Sequence, residues 1–415
     1  MNLSLTFLSV MLILSGLTDF IRIVRLGAIT GLGVITLISF FGSWYLLFTH
    51  SRLPKVVLVV SSLVLFIISG FLDWLWHFSV LSPVTVIQNL SVYMGFVGLL
   101  LLSITQSNRT FDLPEYISKS LPRGIQISVS LYGLGLVLGG PGSGIIMGAR
   151  SFALFAIIGS AWFLATWRYR FPGSLLWASF TILTLAFSFS RTALVITLML
   201  FPLSQLSLTS LKGLLRMGLT ITLLITVCFL AFTFVEPIRS RFTDAGDNAR
   251  VGGVQINTSG RNLAWPVAYT SAMESPWIGK GPTSVGMVLV KRVGSEFAHP
   301  HNDYLRIFHD FGLIGLTFWL LGYWVLIIKT FQNWQWADRY DQENAHIHLA
   351  SFLALIAVAL GMMSDNVVVY IFVMAPLGIL VGASLGSGSR RKKVIRSHDK
   401  LNVVPASLEQ LTMKY

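Results

Sequence analysis

Apolar runs of membrane-spanning length dominate this chain and constrain its fold more than any other feature. Twelve such runs, each bounded by charged residues, occupy 3–18, 26–48, 56–71, 80–104, 124–146, 151–167, 173–190, 192–208, 214–235, 312–328, 347–363 and 367–386. A helix needs about 20 mostly apolar residues to cross a bilayer. Because 54% of the 415 residues are hydrophobic and only 11% are charged, a single water-soluble domain is excluded. We therefore predict an all-α polytopic membrane protein with about 12 transmembrane helices.

The distribution of lysine and arginine predicts the orientation of these helices. An even number of spans places both termini on one side of the membrane. If that side is the cytoplasm, the inner segments carry 18 Lys and Arg residues and the outer segments carry 12, as the positive-inside rule favours. The cluster 390–393 supports this orientation most strongly, whereas Arg22 and Arg25 count against it. The net charge of +13 is then explained by loops that face anionic lipid, and we predict no nucleic-acid partner.

Two hydrophilic segments divide the chain. The predicted organisation is 1–235 for the first nine spans, 236–311 for a large outer loop containing helices, 312–386 for the last three spans, and 387–415 for a basic cytoplasmic tail. The outer loop holds 76 residues, including eight Lys or Arg and seven Asp or Glu, and is far longer than a simple connection. Because loops on a rigid scaffold often carry binding and catalytic residues, we expect the functional site there.

The end of the outer loop offers a candidate for acid–base chemistry. Apolar residues recur at helical spacing after His301, so a helix is predicted to begin near Pro300 or Asn302, with Asn302 or Asp303 as its N-cap. His301 would then lie at the membrane surface and face the loop. Histidine readily transfers protons near neutral pH, although a surface histidine beside an ordinary cap would give the same pattern.

The same stretch also contains a possible set of metal ligands. The set consists of His299, His301, Asp303 and His309. Its spacing fits no recognised zinc site, so a metal centre is the weaker interpretation and we predict none.

Two arginines are candidates for binding an anion at the outer face. Arg191 lies between two apolar runs at the predicted membrane boundary, where burying an arginine costs about 2.5 kcal/mol or more. Arg261 begins a predicted amphipathic helix that ends at the breaker-rich turn 275–282. A helix N-terminus favours anions, and a guanidinium is a bidentate donor to them. The alternatives are snorkelling for Arg191 and a solvated charge for Arg261.

Asp365–Asn366, also outside, are interpreted as a polar turn.

Four short motifs in this region resemble those of the O-antigen ligase/polymerase superfamily of bacterial inner membranes. That family has a His followed by Asn, Ser or Gln, then nine residues and a Gly, at the end of a large periplasmic loop. The matching residues here are His301-Asn302 with Gly312, Ser190-Arg191, Gly260-Arg261, and the Pro-hydrophobic-x-Gly-x-Gly motif at 276–281. The resemblance covers roughly 180–320, and no family motif is identified before residue 150.

The resemblance implies a glycosyltransferase that uses an undecaprenyl-diphosphate-linked glycan at the periplasmic face of the inner membrane. One branch of the family ligates finished O-antigen to lipid A core, a second polymerises repeat units, and a third glycosylates proteins and usually carries a C-terminal extension. This chain ends about 29 residues after its last predicted span. We therefore favour the lipid A core O-antigen ligase branch, with an O-antigen or exopolysaccharide polymerase as the alternative.

The chemistry of such a transfer fits the three candidate residues. Departure of the diphosphate leaves negative charge, which many transferases neutralise with a metal ion. No Asp-x-Asp motif occurs, and two arginines, Arg191 and Arg261, would replace the metal. His301 would act as the base for the acceptor hydroxyl, and a single direct displacement would invert the anomeric centre. No cofactor is predicted.

A transporter is the main alternative from another functional class. Twelve spans are typical of transporters, but these usually also carry buried charges at mid-span and an internal repeat. The cores of 56–71, 80–104, 214–235 and 347–363 contain no Lys, Arg, Asp or Glu, and the two halves show no repeat. A purely structural membrane protein would leave the three candidate residues unexplained.

Overall fold

The computed structural model describes residues 2–23, 25–26, 29–50, 53–78, 80–206, 211–234, 236, 239, 249–251, 254–256 and 258–402. Within these residues the chain forms fourteen α-helices, which confirms the predicted all-α polytopic fold class. The helices are α1 (Leu3–Ser15), α2 (Gly31–His50), α3 (Ser61–Trp76), α4 (Pro83–Arg109), α5 (Leu113–Gly139), α6 (Ala149–Arg168), α7 (Ser174–Phe187), α8 (Arg191–Ser204), α9 (Leu211–Phe234), α10 (Arg261–Ala272), α11 (Ser284–Arg292), α12 (Asp303–Tyr340), α13 (Gln342–Met362) and α14 (Ile371–Asn402). Two short antiparallel strand pairs join β1 (Arg25–Leu26) to β2 (Ile29–Thr30) and β3 (Ala249–Val251) to β4 (Val254–Ile256).

Each of the twelve predicted spans coincides with a helix, but the helices differ in length. Among the described residues, eight helical segments are long and apolar enough to cross a membrane, and they belong to α2–α6 and α12–α14. Helices α1, α7 and α8 are apolar but have only 13 or 14 residues. At 1.5 Å per residue each of them rises about 20 Å, less than the thickness of the hydrocarbon core. Helix α9, with 24 residues, corresponds to the remaining predicted span, 214–235.

The last helix packs closely against α4 and holds the centre of the bundle together. A Cβ atom on Gly378, Gly382 or Gly386 would lie 2.4 to 2.9 Å from a backbone oxygen of α4, so only glycine allows this approach. Ser103 and Ser107 of α4 donate to backbone oxygens of α14 at 2.6 and 3.0 Å. Helix α14 continues to Asn402, past the predicted boundary at 386.

The described part of the outer loop is organised by one buried aspartate. The carboxylate of Asp310 accepts hydrogen bonds from the backbone N–H of Thr283 and of Val285, each at 2.9 Å, and from the Ser284 hydroxyl at 3.0 Å. These groups form the N-terminus of α11, where a carboxylate stabilises the unpaired amides and the positive end of the helix dipole. Asp310 therefore fixes α11 to α12.

His309 completes this buried cluster. Its Nε2 lies 3.0 Å from the Ser271 hydroxyl, and its Nδ1 lies 3.1 Å from the Asp310 carboxylate. This order of Ser, His and Asp resembles a hydrolase triad, but both His309 and Asp310 are fully buried. A substrate could not reach them, so the cluster ties α10, α11 and α12 together.

Two glycines of the family motifs allow the outer loop to cross the start of the tenth span. Gly312 interrupts α12 with φ 64° and ψ −171°, at the residue where the span was predicted to begin. The N–H of Leu313 then donates to the Pro276 carbonyl at 2.8 Å. A Cβ on Gly312 would lie 2.2 Å from the Trp277 carbonyl oxygen, and one on Gly279 would lie 2.5 Å from that of Asp310. The motif glycines are thus explained by backbone packing.

Candidate functional site

His301 lies at the mouth of α12, as the sequence predicts. Asn302 is the N-cap residue, and its side-chain oxygen accepts a hydrogen bond from the Leu305 N–H at 3.0 Å, which confirms the predicted helix start. His301, immediately before the cap, has a positive φ of 52°, which residues other than glycine rarely adopt. Its side chain is 25% exposed, so the ring is accessible from outside the bundle.

The imidazole of His301 receives two hydrogen bonds at the same nitrogen. Nη2 of Arg150 donates to Nδ1 at 2.5 Å, and Nδ2 of Asn366 lies 2.9 Å from that same atom. A guanidinium only donates, so Nδ1 acts as an acceptor. Nη1 of Arg150 lies farther away, 3.5 Å from Nε2, so the shorter contacts at Nδ1 favour a neutral ring with its proton on Nε2.

Arg150 and Asp365 form an ion pair that extends this contact. Nε of Arg150 donates to Oδ1 of Asp365 at 3.0 Å, and Nη2 contacts the same oxygen. The backbone N–H of Asn366 donates to that oxygen at 2.7 Å. Asp365 is buried, whereas Arg150 is partly exposed in the first turn of α6. The pair places a positive guanidinium beside the His301 ring.

The surroundings of His301 keep its ring neutral at physiological pH. Burial lowers the pKa of His301, and the positive charge of Arg150 lowers it further, to about 4. The charge of Arg261 acts in the same direction, while the carboxylate of Asp365 partly opposes it. His301 is therefore unprotonated at pH 7 and able to accept a proton.

Arg261 and Arg191 occupy equivalent positions, each as the first residue of its helix. Nη1 of Arg261 donates to the Thr258 carbonyl at 2.9 Å, and its Nη2 donates to the Ser364 carbonyl at 2.7 Å. Nη2 of Arg191 donates to the Ser259 hydroxyl at 3.0 Å. The predicted helix at Arg261 is confirmed as α10. Two helix N-termini, each bearing an arginine, therefore meet at the turn 258–260.

The turn between α13 and α14 joins the arginines to the histidine. Ser364 accepts from Arg261, Asp365 pairs with Arg150, and Asn366 contacts His301. The carboxylate of Asp303 holds the turn in place, because its Oδ2 accepts from the N–H of Val367 at 2.5 Å and of Val368 at 3.0 Å. The turn 364–366 thus joins His301 to Arg261, and Arg191 is linked to Arg261 through the turn 258–260.

The alternative set of metal ligands is dispersed by these contacts. Asp303 accepts hydrogen bonds from backbone amides that follow the turn 364–366, and His309 contacts Ser271 in the buried cluster. Within the described ranges no group of three or more His, Cys, Asp or Glu side chains is arranged to hold a metal ion.

Three residues of this site were not identified from the sequence. Arg150 was counted only as an outer charge, and Asp365 and Asn366 were interpreted as a polar turn. Predicted topology puts all three on the same side as His301, which was the available signal. Their contacts connect positions 151 and 65 residues apart in the chain, and neither spacing nor periodicity reports such a distance.

The geometry has a clear chemical capacity. Three guanidinium groups and two helix N-termini at one end of the bundle favour an anion with several oxygens. A neutral histidine beside them is able to accept a proton from a nearby hydroxyl. The site therefore has the parts needed to stabilise an anionic leaving group while a nucleophile is deprotonated.

Comparison with known proteins agrees with this assembly. Residues 176–320 match the family model described as O-antigen ligase, and the match includes Arg191, Arg261, His301 and Gly312. No curated protein matches the chain. Over residues 176–320 the chain is therefore similar to the O-antigen ligase family.

Proposed function

We propose that the protein is an O-antigen ligase that transfers an undecaprenyl-diphosphate-linked glycan to a sugar hydroxyl of lipid A core. One observation carries the proposal: Arg261 donates to the turn 364–366, which also contacts His301, and Arg191 donates to Ser259, two residues before Arg261. All three candidate residues lie within the matched segment 176–320. The reaction is a metal-independent displacement that inverts the anomeric carbon, and it uses no cofactor.

The arginines bind the donor's diphosphate in this proposal. Arg191 and Arg261 now donate to Ser259, Thr258 and Ser364, and in the complex they exchange these neutral acceptors for phosphate oxygens. Bonds to an ionised acceptor are stronger, and the two helix dipoles point their positive ends at the same group. Charge that builds up on the leaving diphosphate is stabilised without a metal ion.

His301 takes the proton of the acceptor hydroxyl. The unprotonated nitrogen is Nδ1, and Arg150 and Asn366 donate to it in the structure. We propose that, when the donor binds, Arg150 turns to the diphosphate and the Asn366 amide turns away from the ring, which frees Nδ1 for the hydroxyl. The hydroxyl oxygen then attacks the anomeric carbon, the bond to the diphosphate oxygen breaks, and the proton stays on His301. Because the positive charge of Arg150 then lies farther from His301, the pKa of the ring rises.

The proposed setting is the periplasmic face of the bacterial inner membrane. Both termini lie in the cytoplasm, the lipid tail of the donor lies in the bilayer, and lipid A core approaches from the membrane plane. The supporting observations are the 18-to-12 distribution of Lys and Arg and the eight described helices of spanning length.

The test is the lipopolysaccharide of a strain that lacks this protein. A ligase predicts loss of the O-antigen ladder with an intact lipid A core, restored by the parental protein and not by His301→Ala. A core that carries a single repeat unit would instead identify a polymerase. An unchanged ladder would contradict both.

A further inference from the structure

A cavity near His301 has no role in the mechanism above. It has a volume of about 540 Å³ and lies between the start of α4, helix α11, and residues 298–306. His299, two residues before His301, lines it. Arg306 is the one Lys, Arg, Asp or Glu among its lining residues.

Two nitrogens of the buried Arg306 side chain have no hydrogen-bond acceptor in the described part of the chain. Its side chain is only 4% exposed, and Nε and Nη1 have no acceptor among the described residues. The nearest ion-pair partner, Oδ2 of Asp310, lies 3.9 Å from Nε, which is too far for a hydrogen bond. The oxygens of Asp310 already accept from the N-terminus of α11. Burying charged donors without an acceptor is unfavourable, so an acceptor from outside the chain would stabilise Arg306.

The rest of the lining is suited to a sugar. Gln88, Asn89 and Thr85 offer amide and hydroxyl groups from the start of α4, while Val285 and Val290 of α11 form an aliphatic wall. Oδ1 of Asn89 is buried and has no partner among the described residues. A pyranose has apolar C–H faces and a polar rim of hydroxyls, so it matches both kinds of surface.

His299 adds no competing charge. Burial lowers the pKa of His299 to about 4, with further lowering by the positive charges of Arg306 and Arg150. The ring is therefore neutral at pH 7, and Arg306 supplies the positive charge of the cavity.

We propose that this cavity is an acceptor subsite for an anionic sugar, whose phosphate or carboxylate group is bound by Arg306. That the sugar is the acceptor rests on the proposed function, in which Arg191 and Arg261 bind the donor's diphosphate. That the cavity binds an oxyanion does not depend on the proposed function. An oxyanion would give Nε and Nη1 their missing acceptors, and the sugar ring would occupy the space between α4 and α11.

Direct binding tests the oxyanion site without requiring transfer. The full-length protein is purified in detergent, and binding of glucose 1-phosphate, glucuronate, glucose and pyrophosphate is measured by calorimetry. We expect both anionic sugars to bind the parental protein and Arg191→Gln alike, and to lose at least tenfold in affinity with Arg306→Gln. Arg292→Gln removes an equal charge from the exposed end of α11 and should bind as the parent does.

A second variant guards against misfolding of Arg306→Gln. Met287 lies in the cavity wall and is 48% exposed, so Met287→Trp should fill the cavity without disturbing the core. We expect it to abolish binding of glucose 1-phosphate while pyrophosphate binding persists. Unchanged binding of the anionic sugars by both variants would overturn the proposal, as would equal binding of glucose and glucose 1-phosphate.

Kinetics then distinguish the two sources of the oxyanion. With core acceptors that carry or lack phosphate and acidic sugars, Arg306→Gln should raise the KM for the anionic acceptor at least tenfold and leave the donor KM unchanged. If it raises the donor KM instead, the cavity binds donor diphosphate and the acceptor assignment is wrong. If the parental protein transfers nothing, the proposed function fails, while the calorimetry still decides whether Arg306 binds an oxyanion.

Discussion

Nη2 of Arg150 donates a hydrogen bond to Nδ1 of His301 across 151 positions of the chain, and the same guanidinium pairs with Asp365. The contact joins the first turn of α6 to the residue before the N-cap of α12. It fixes the tautomer of the imidazole and keeps a positive charge beside it. A helix outside the matched segment therefore contributes, together with burial of the ring, to the low proton affinity of His301.

The first prediction concerns pH. Burial and the charge of Arg150 together lower the pKa of His301 to about 4, so Arg150→Gln should raise that pKa part of the way toward its ordinary value near 6.5. His301 would then become protonated, and inactive as a base, at a higher pH. The acid limb of the pH profile of kcat/KM for transfer, measured between pH 4 and pH 8, should shift to higher pH. The control is Arg292→Gln, and a limb that stays in place or moves downward would contradict the electrostatic role of Arg150.

The second prediction concerns the arginines at the helix N-termini. Arg191→Ala and Arg261→Ala should each weaken transition-state binding by about 2–4 kcal/mol, the range of other preorganised charge donors. Lysine should rescue poorly, since an ammonium lacks the planar fork that binds two phosphate oxygens. The measurement is kcat/KM for transfer, together with donor affinity, after expression and membrane insertion are verified. Full activity of Arg191→Lys and Arg261→Lys would show that charge alone suffices.

The third prediction concerns the motif glycine of α12. Gly312→Ala should destabilise the protein by about 1–3 kcal/mol through strain at φ 64°, and the added Cβ would also collide with the Trp277 carbonyl. Thermal unfolding in detergent should therefore shift to lower temperature. Gly144→Ala is a suitable control, because a Cβ there meets no atom within 4 Å. Equal unfolding temperatures for both variants would refute the packing explanation.

Sequence periodicity was sufficient for the helices and for much of the site. Apolar runs located helices α1–α9 and α12–α14, and helix-start signals located the N-termini at Arg261 and Asp303, because these features are local. Of the two predicted cap residues, Asn302 and Asp303, the observed one is Asn302. Arg191 lies at the end of its run, where it begins α8.

Tertiary contacts account for what the sequence left open. Asp365 and Asn366 read as an ordinary polar turn, since nothing nearby indicates that Arg150 and His301 pack against them. In the sequence Arg306 is one of the charged residues of the predicted outer loop, although its side chain is buried in the structure. Gly312 was known only as a motif position, and its backbone contact with Trp277 appears only in three dimensions.

The fourth prediction concerns metal ions. If two arginines neutralise the leaving diphosphate, transfer should continue at the same rate in excess EDTA with no divalent ion added. Parallel assays with EDTA and with added magnesium or manganese make the comparison. Abolition by EDTA and recovery with either ion would refute the arginine mechanism and would require new roles for His299 and Asp303.

The central claim is the division of labour between His301 and the two arginines. Donor binding and transfer rate, measured side by side for His301→Ala, test it most directly. The account predicts that this variant binds undecaprenyl-diphosphate glycan as the parent does but loses about 10²–10⁴-fold in transfer, because the base is removed and the diphosphate ligands remain. Transfer at the parental rate would contradict the base assignment. Loss of donor affinity as severe as in Arg261→Ala, in a folded protein, would show that His301 binds the diphosphate instead.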